Sequence, residues 1–182
     1  QMCIRDRDLI KEEIEKAKAG EETSIFLKMN SLTDRQLIDA LKEASQAGVK
    51  IKMIIRGICC ILPGIEGKTD NIEVISVVGR FLEHSRIFCF GTGENMKMYI
   101  ASADWMTRNT ENRVEIAAPI YDQKIKNSIY DTLRIMWKDN LKARILCSDG
   151  TYKKPEIKEG DELIDCQNYL RHEYKVGRKI KL

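Results

Sequence analysis

Residues 23–56, TSIFLKMNSLTDRQLIDALKEASQAGVKIKMIIR, hold the pattern that decides the fold. TSIFLKM (23–29) is a short, mostly apolar run of the kind expected for a strand. Thr33 and Gln36 have the spacing of a capping box. Leu37, Ile38, Leu41 and Ala44 then form one helical stripe that stops at Gly48. VKIKMIIR (49–56) is a β-branched run that reads as a mostly buried strand. Two strands joined by a helix of this length are most simply parallel neighbours in one sheet.

Working outward, DLIKEEIEKAKA (8–19) places Leu9, Ile10, Ile14 and Ala17 on one helical face, and Gly20 marks its end. Residues 57–70 contain Gly57, Pro63, Gly64 and Gly67, an irregular loop at the C-terminal end of the second strand. Open α/β sheets keep their sites at such ends. Further strands are expected in NIEVISVV (71–78), RIFCF (86–90), MKMYIAS (96–102) and RVEIAAP (113–119), with GTGEN (91–95) turning between two of them. Ile125, Ile129, Leu133 and Met136 fall on one face of a helix over 122–138. Beyond it the chain is more polar, with a turn at Ser148-Asp149-Gly150 and a basic tail, KVGRKIKL (175–182), where fraying is expected. The expected fold class is α/β, a mixed sheet flanked by helices on both faces.

The chain has 182 residues, of which 43% are hydrophobic and 32% charged, so one folded domain with its own core is expected rather than a disordered segment. No apolar run approaches the roughly 20 residues that cross a bilayer. The six cysteines (3, 59, 60, 89, 147 and 166) lack CxxC spacing, which argues against a zinc site or a disulfide framework and for a reducing cytoplasm. Cys59 and Cys60 are expected to pack beneath the loop, and Trp137 to belong to the core. A net charge of +3 is too small to imply nucleic-acid binding. Any bound anion must therefore be held locally.

The local candidate is GRFLEHSR (79–86), where His84 sits between Arg80 and Arg86. Guanidinium forks match phosphate oxygens, and an imidazole can act as nucleophile or proton carrier near neutral pH. Arg56 ends the second strand, and Ser102, Asp104, Arg108 and Asn109 follow MKMYIAS. A bound anion would offset the cost of a half-buried arginine at a sheet edge, and so would a neighbouring Asp or Glu. Residue types leave both readings open. For His84 the plain alternative is a neutral ring with a local hydrogen bond, and for His172 an ordinary surface position.

His84-Ser85-Arg86 followed by Ala101-Ser102-Ala103-Asp104 resembles the phospholipase D signature of HxK and a later GSxN. Arg stands for the Lys, Ala for the Gly and Asp for the Asn. A narrower resemblance runs from about Asp8 to about Tyr152, carried by KMNSL, RGICC, GRFLEHSRI and SADWM. These blocks resemble the C-terminal end of bacterial polyphosphate kinases, which make inorganic polyphosphate from ATP.

That resemblance implies a catalytic region of two phospholipase D-like halves, of which this chain is the second, 8–152. It implies reversible transfer of the terminal ATP phosphoryl group through a phosphohistidine that lies in the first half. His84 is implied as catalytic, and Arg56 and His84 as contacts to the nucleotide phosphates; Arg80, Arg86, Ser102 and Arg108, grouped with them by the residues themselves, are expected as further contacts to ATP or phosphate. Magnesium ligation is implied mainly for the first half, and no metal ligand for this chain. The implied partners are ATP, ADP, inorganic polyphosphate and the first half, in a homo-oligomer when full length, in the cytoplasm or peripheral to its membrane face. Residues 1–7 (QMCIRDR) are expected as an unmatched leader and 153–182 as a polar extension. Thr107 and Asn112 depart from the family's usual proline and basic residue. The rival readings are a non-catalytic binder of polyphosphate or nucleotide and a phospholipase D-like phosphodiesterase.

Overall fold

The computed structural model describes residues 2–112 and 114–176. Its elements run α1 (Met2–Lys18), β1 (Ser24–Met29), α2 (Arg35–Gln46), β2 (Lys50–Ile55), β3 (Ile72–Val77), β4 (Ile87–Phe90), β5 (Lys97–Ala101), α3 (Thr107–Asn112), β6 (Ala117–Ile120), α4 (Gln123–Trp137), β7 (Ala143–Leu146), β8 (Tyr152–Lys153) and α5 (Cys166–Lys175). A short 3-10 turn, Gly93–Asn95, joins β4 to β5. The strands form one eight-stranded sheet in the order β6-β5-β4-β1-β2-β3-β7-β8. β1, β2 and β3 are parallel, with Ser24 opposite Lys50 and Met29 opposite Ile55. The remaining pairings are antiparallel.

Alternation along the central strands divides the core between the two faces of the sheet. Ile25, Leu27 and Met29 of β1 pack with Ile51, Met53 and Ile55 of β2 under the apolar stripes of α1 and α2. Phe26 and Ile54 join Leu133 and Met136 of α4 and Cys166 of α5 on the opposite face. Tyr130 and Trp137 meet Phe26 edge-on at centroid distances of 5.9 and 5.6 Å, so Trp137 packs as expected. Helices cover both faces, in accord with the fold class read from the sequence.

Several local expectations change. The N-cap of α2 is Asp34, whose carboxylate accepts from the Leu37 backbone N–H at 3.0 Å. Gln36 cannot close a box with Thr33, because its Oε1 accepts from Arg7 Nη1 at 2.8 Å. Ile125 is 52% exposed, outside the buried face of α4. The 113–119 run yields only Ala117–Ile120 as strand, and its first residue, Arg113, lies outside the described residues.

Residues 2–7, expected as a leader, form the opening turns of α1. Asp6 is fully buried and accepts from the indole Nε1 of Trp105 at 3.0 Å, while the Arg5 guanidinium lies 4.5 Å from the Tyr99 ring centroid. The polar C-terminal stretch does not fray through Lys175: α5 is capped by Asp165, whose side chain accepts from Asn168 N–H at 3.1 Å. Residues 177–182 of the basic tail lie outside the described residues.

Candidate functional site

Register brings the chemistry-bearing segments to one edge of the sheet. β1 and β2 end in parallel at Met29 and Ile55, delivering Asn30 and Arg56 side by side. β4 runs the other way with Ile87 opposite Lys28, so Arg86 enters at the same edge. β5 returns with Ile100 opposite Ile87, and Ser102 and Asp104 follow it there. Arg56, Arg86 and Ser102 therefore reach one edge of the sheet, with His84 two residues before Arg86.

A continuous hydrogen-bond network joins most of them. Arg56 Nε donates to Asn30 Oδ1 at 2.8 Å and to the Glu83 carbonyl at 2.7 Å. Asn30 donates to the Asp104 carboxylate from its backbone N–H at 2.7 Å and from its amide at 3.0 Å. Arg86 pairs with the same carboxylate, Nε to Oδ1 at 3.1 Å and Nη2 to Oδ2 at 3.4 Å. Arg86 Nη1 lies 3.1 Å from His84 Nδ1 and donates to the His84 carbonyl at 3.1 Å. Asn109 Nδ2 donates to the Asp104 carbonyl at 3.2 Å. Asn30 and Asp104 are buried, and His84 is exposed at the end of the relay.

The two central arginines thus differ. Arg86 is paired with a carboxylate, and its side chain is 14% exposed. Among the described residues Arg56 has no carboxylate partner, and its protein contacts use Nε rather than Nη1 or Nη2. That leaves one edge of a planar fork for a ligand. Arg86 Nη2 also lies 3.4 Å from His84 Nε2, so both ring nitrogens face the guanidinium.

The other expected contacts lie outside the relay. The Ser102 hydroxyl donates to Glu115 and accepts from the Ile116 N–H at 3.0 Å, so it closes the turn into β6. Arg80 is exposed, its guanidinium 5.7 Å from the Phe81 ring centroid. Arg108 is exposed on α3. His172 is exposed beside Glu173, and Cys59 is part-buried with its thiol pushed up chiefly by burial.

Asn30, Lys28 and Gln167 were not identified from the sequence. Lys28, on β1 and only 2% exposed, donates to Ser85 Oγ at 2.8 Å and lies 3.3 Å from Glu83 Oε2. Burial pushes its amine below the ordinary lysine value, against the opposing pull of Glu83. A lysine between Leu27 and Met29 of a mostly apolar strand was the available signal, because a buried ammonium requires a partner.

Among the described residues no group of three or more His, Cys, Asp or Glu is placed to hold a metal ion. Asp104 is already engaged by Asn30 and Arg86. Among the described residues no helix is long and apolar enough to cross a membrane.

Comparison with known proteins agrees with this fold. The family described as polyphosphate kinase C-terminal domain 2 matches residues 2–167. The polyphosphate kinase of Thermosynechococcus vestitus is 51% identical over 162 residues, covering 88% of this chain and 22% of the relative. That of Vibrio cholerae is 44% identical over 178 residues, covering 95% of this chain and 25% of the relative. The chain therefore spans about a quarter or less of these relatives. The crystal structure of polyphosphate kinase from Porphyromonas gingivalis superposes with a TM-score of 0.91 at 38% identity, over 97% of this chain and 27% of that one. NucT from Helicobacter pylori, at 16% identity and a TM-score of 0.52 over 74% of this chain and 91% of its own, shares the fold alone. By the reach and identity of these matches, the chain belongs to the polyphosphate kinase C-terminal domain family.

Proposed function

We propose that this chain is the second phospholipase D-like half of a polyphosphate kinase, 8–152, with 153–182 as its C-terminal extension. The whole enzyme reversibly transfers the terminal phosphoryl group of ATP to inorganic polyphosphate. In the synthetic direction an imidazole nitrogen of the first half attacks the γ-phosphorus, the bond to the β,γ-bridging oxygen breaks, and ADP leaves. A terminal oxygen of polyphosphate then attacks the same phosphorus, and the P–N bond breaks. Such transfer depends mainly on positioning and charge stabilisation.

The observation that carries this reading is the uncommitted Nη edge of Arg56 beside exposed His84, at the C-terminal ends of the parallel strands. Arg56 clamps phosphate oxygens in two-point fashion. His84 offers a ring N–H to an oxygen of the transferring or leaving phosphate. Arg86, held by Asp104, orients that ring rather than presenting a free fork. Arg80 and Arg108, both exposed, add positive charge along the path of a polyanion, and Ser102 supports the edge through its turn. Magnesium belongs to the first half.

The test is titration of the purified chain with ATP and with inorganic polyphosphate, beside an assay for ATP-dependent polyphosphate synthesis. The expected result is weak, salt-sensitive binding without synthesis, since the histidine that becomes phosphorylated lies elsewhere. Synthesis by this chain alone would show that the nucleophile is misplaced. Failure to bind either anion at low salt would remove the phosphate site.

A further inference from the structure

The segment 79–86 that carries His84 has no helix or strand of its own. Its conformation depends on side chains reaching it from elsewhere. From β1, Lys28 Nζ donates to Ser85 Oγ at 2.8 Å and to the Ser85 carbonyl at 3.2 Å, and pairs with Glu83 Oε2 at 3.3 Å. From α5, the Gln167 amide treats Phe81 as a strand would: its Oε1 accepts from the Phe81 N–H at 2.9 Å and its Nε2 donates to the Phe81 carbonyl at 2.9 Å. The same Nε2 donates to Glu83 Oε1 at 2.8 Å. Glu83 is thereby held at one carboxylate oxygen by the sheet and at the other by the C-terminal helix.

Gly79 supplies an independent sign that this approach is built in. A Cβ there would lie 2.5 Å from Gln167 Oε1, so only glycine lets the amide come this close. Lys28 and Gln167 are both buried, and a buried ammonium or amide is costly unless its partners stay in place. His84 follows Glu83 and precedes Ser85, the two residues that these groups hold.

We propose that Lys28 and Gln167 are positioning residues that fix the 79–86 segment through Glu83 and Ser85 and so set the place of the His84 ring, making α5 a working part of the site. This rests on reading the edge as a phosphate site. Neither residue touches the ligand. Lys28 secures the side of His84 next to the sheet, and Gln167 the side next to the helix. Loss of either lets the ring leave its place against Arg86.

The test uses the purified chain with Lys28→Met and Gln167→Ala. Each variant is read at a residue that it does not contact: exchange of the Phe81 amide in Lys28→Met, and the 15N ring resonances of His84 in both. Amides of β1 and β2 report whether the sheet is intact. Faster Phe81 exchange and shifted or broadened His84 resonances with an intact sheet are expected. Tripolyphosphate affinity should fall about tenfold, the scale of one lost hydrogen bond to a charged group. Unchanged His84 resonances in Gln167→Ala would overturn the proposal, even if Lys28→Met does not fold. A wild-type chain that ignores tripolyphosphate removes the phosphate reading, while the exchange and resonance measurements still decide whether Lys28 and Gln167 position His84.

Discussion

Arg56 Nε donates to the carbonyl of Glu83 at 2.7 Å, tying the end of β2 to the residue before His84. The guanidinium is therefore held at one edge by protein and open at the other. Arg56→Ala should weaken binding of tripolyphosphate about 10-fold to 100-fold, the range for one or two charge-assisted hydrogen bonds. Arg56→Lys should recover only part, because a point charge replaces a planar fork. Calorimetry at low and high salt checks this: equal affinity of Arg56→Lys and wild type would show that the fork geometry is unused.

Burial of Trp105 against α1 gives a second prediction. Its indole donates to Asp6, which is fully buried, and its backbone carbonyl accepts from the N–H groups of Thr33 and Asp34 at 2.8 and 3.0 Å. Trp105→Phe keeps most of the ring but leaves the Asp6 carboxylate without that donor. The expected loss is about 1–3 kcal/mol of folding stability, read by denaturant unfolding. A chain beginning at Asp8 should lose at least as much, since it removes Asp6 together with Arg5. Unchanged stability on that deletion would show that residues 2–7 add nothing to the fold.

The β1-α2-β2 unit was legible because its apolar spacings are long and unmixed, and buried Leu37, Leu41 and Ala44 sit where the stripe placed them. Arg56 and His84 were legible because each stands at a strand end or beside a marked loop. The partners that hold them were not. Asn30 matters through Asp104, which lies far along the chain, and only the register of β1, β4 and β5 brings the two together. α5 is anchored by a short apolar stripe, Cys166, Tyr169 and Leu170, but its hold on the site is one amide, Gln167, whose partners lie far along the chain. Thr33 and Asp34 are both good caps, and the choice fell to a tertiary contact, the Arg7 bond that occupies Gln36.

Lys28 sets a pH dependence whose sign follows from burial. Its folded value lies below the ordinary 10.5, so between the two values the unfolded chain binds more protons than the folded one. Stability from this group accordingly rises with pH across that window, and at neutral pH the cost of burying the ammonium is carried in full. Lys28→Met removes the group and should flatten this part of the profile relative to wild type. Parallel unfolding curves from neutral pH towards 10.5 make the comparison. Identical slopes would mean that Lys28 keeps an ordinary value in the folded chain.

The last prediction separates ring chemistry from ring placement, in a full-length enzyme that carries this chain. Arg86 Nη1 and Nη2 lie 3.1 and 3.4 Å from His84 Nδ1 and Nε2, so a phosphate that takes a ring proton shares the imidazole with this guanidinium. A glutamine at this position keeps an amide N–H donor that cannot deliver a proton. If His84 moves a proton onto the phosphate that leaves or receives the phosphoryl group, His84→Gln should lower turnover about 100-fold to 10,000-fold. ATP affinity should change little, because the Arg56 fork remains. Arg56→Ala should instead lose affinity and turnover together. Measuring kcat beside the dissociation constant for ATP in both variants distinguishes the roles. Normal turnover in His84→Gln would reduce the imidazole to a hydrogen-bond donor that an amide can replace, and the proton would have to come from the first half of the site.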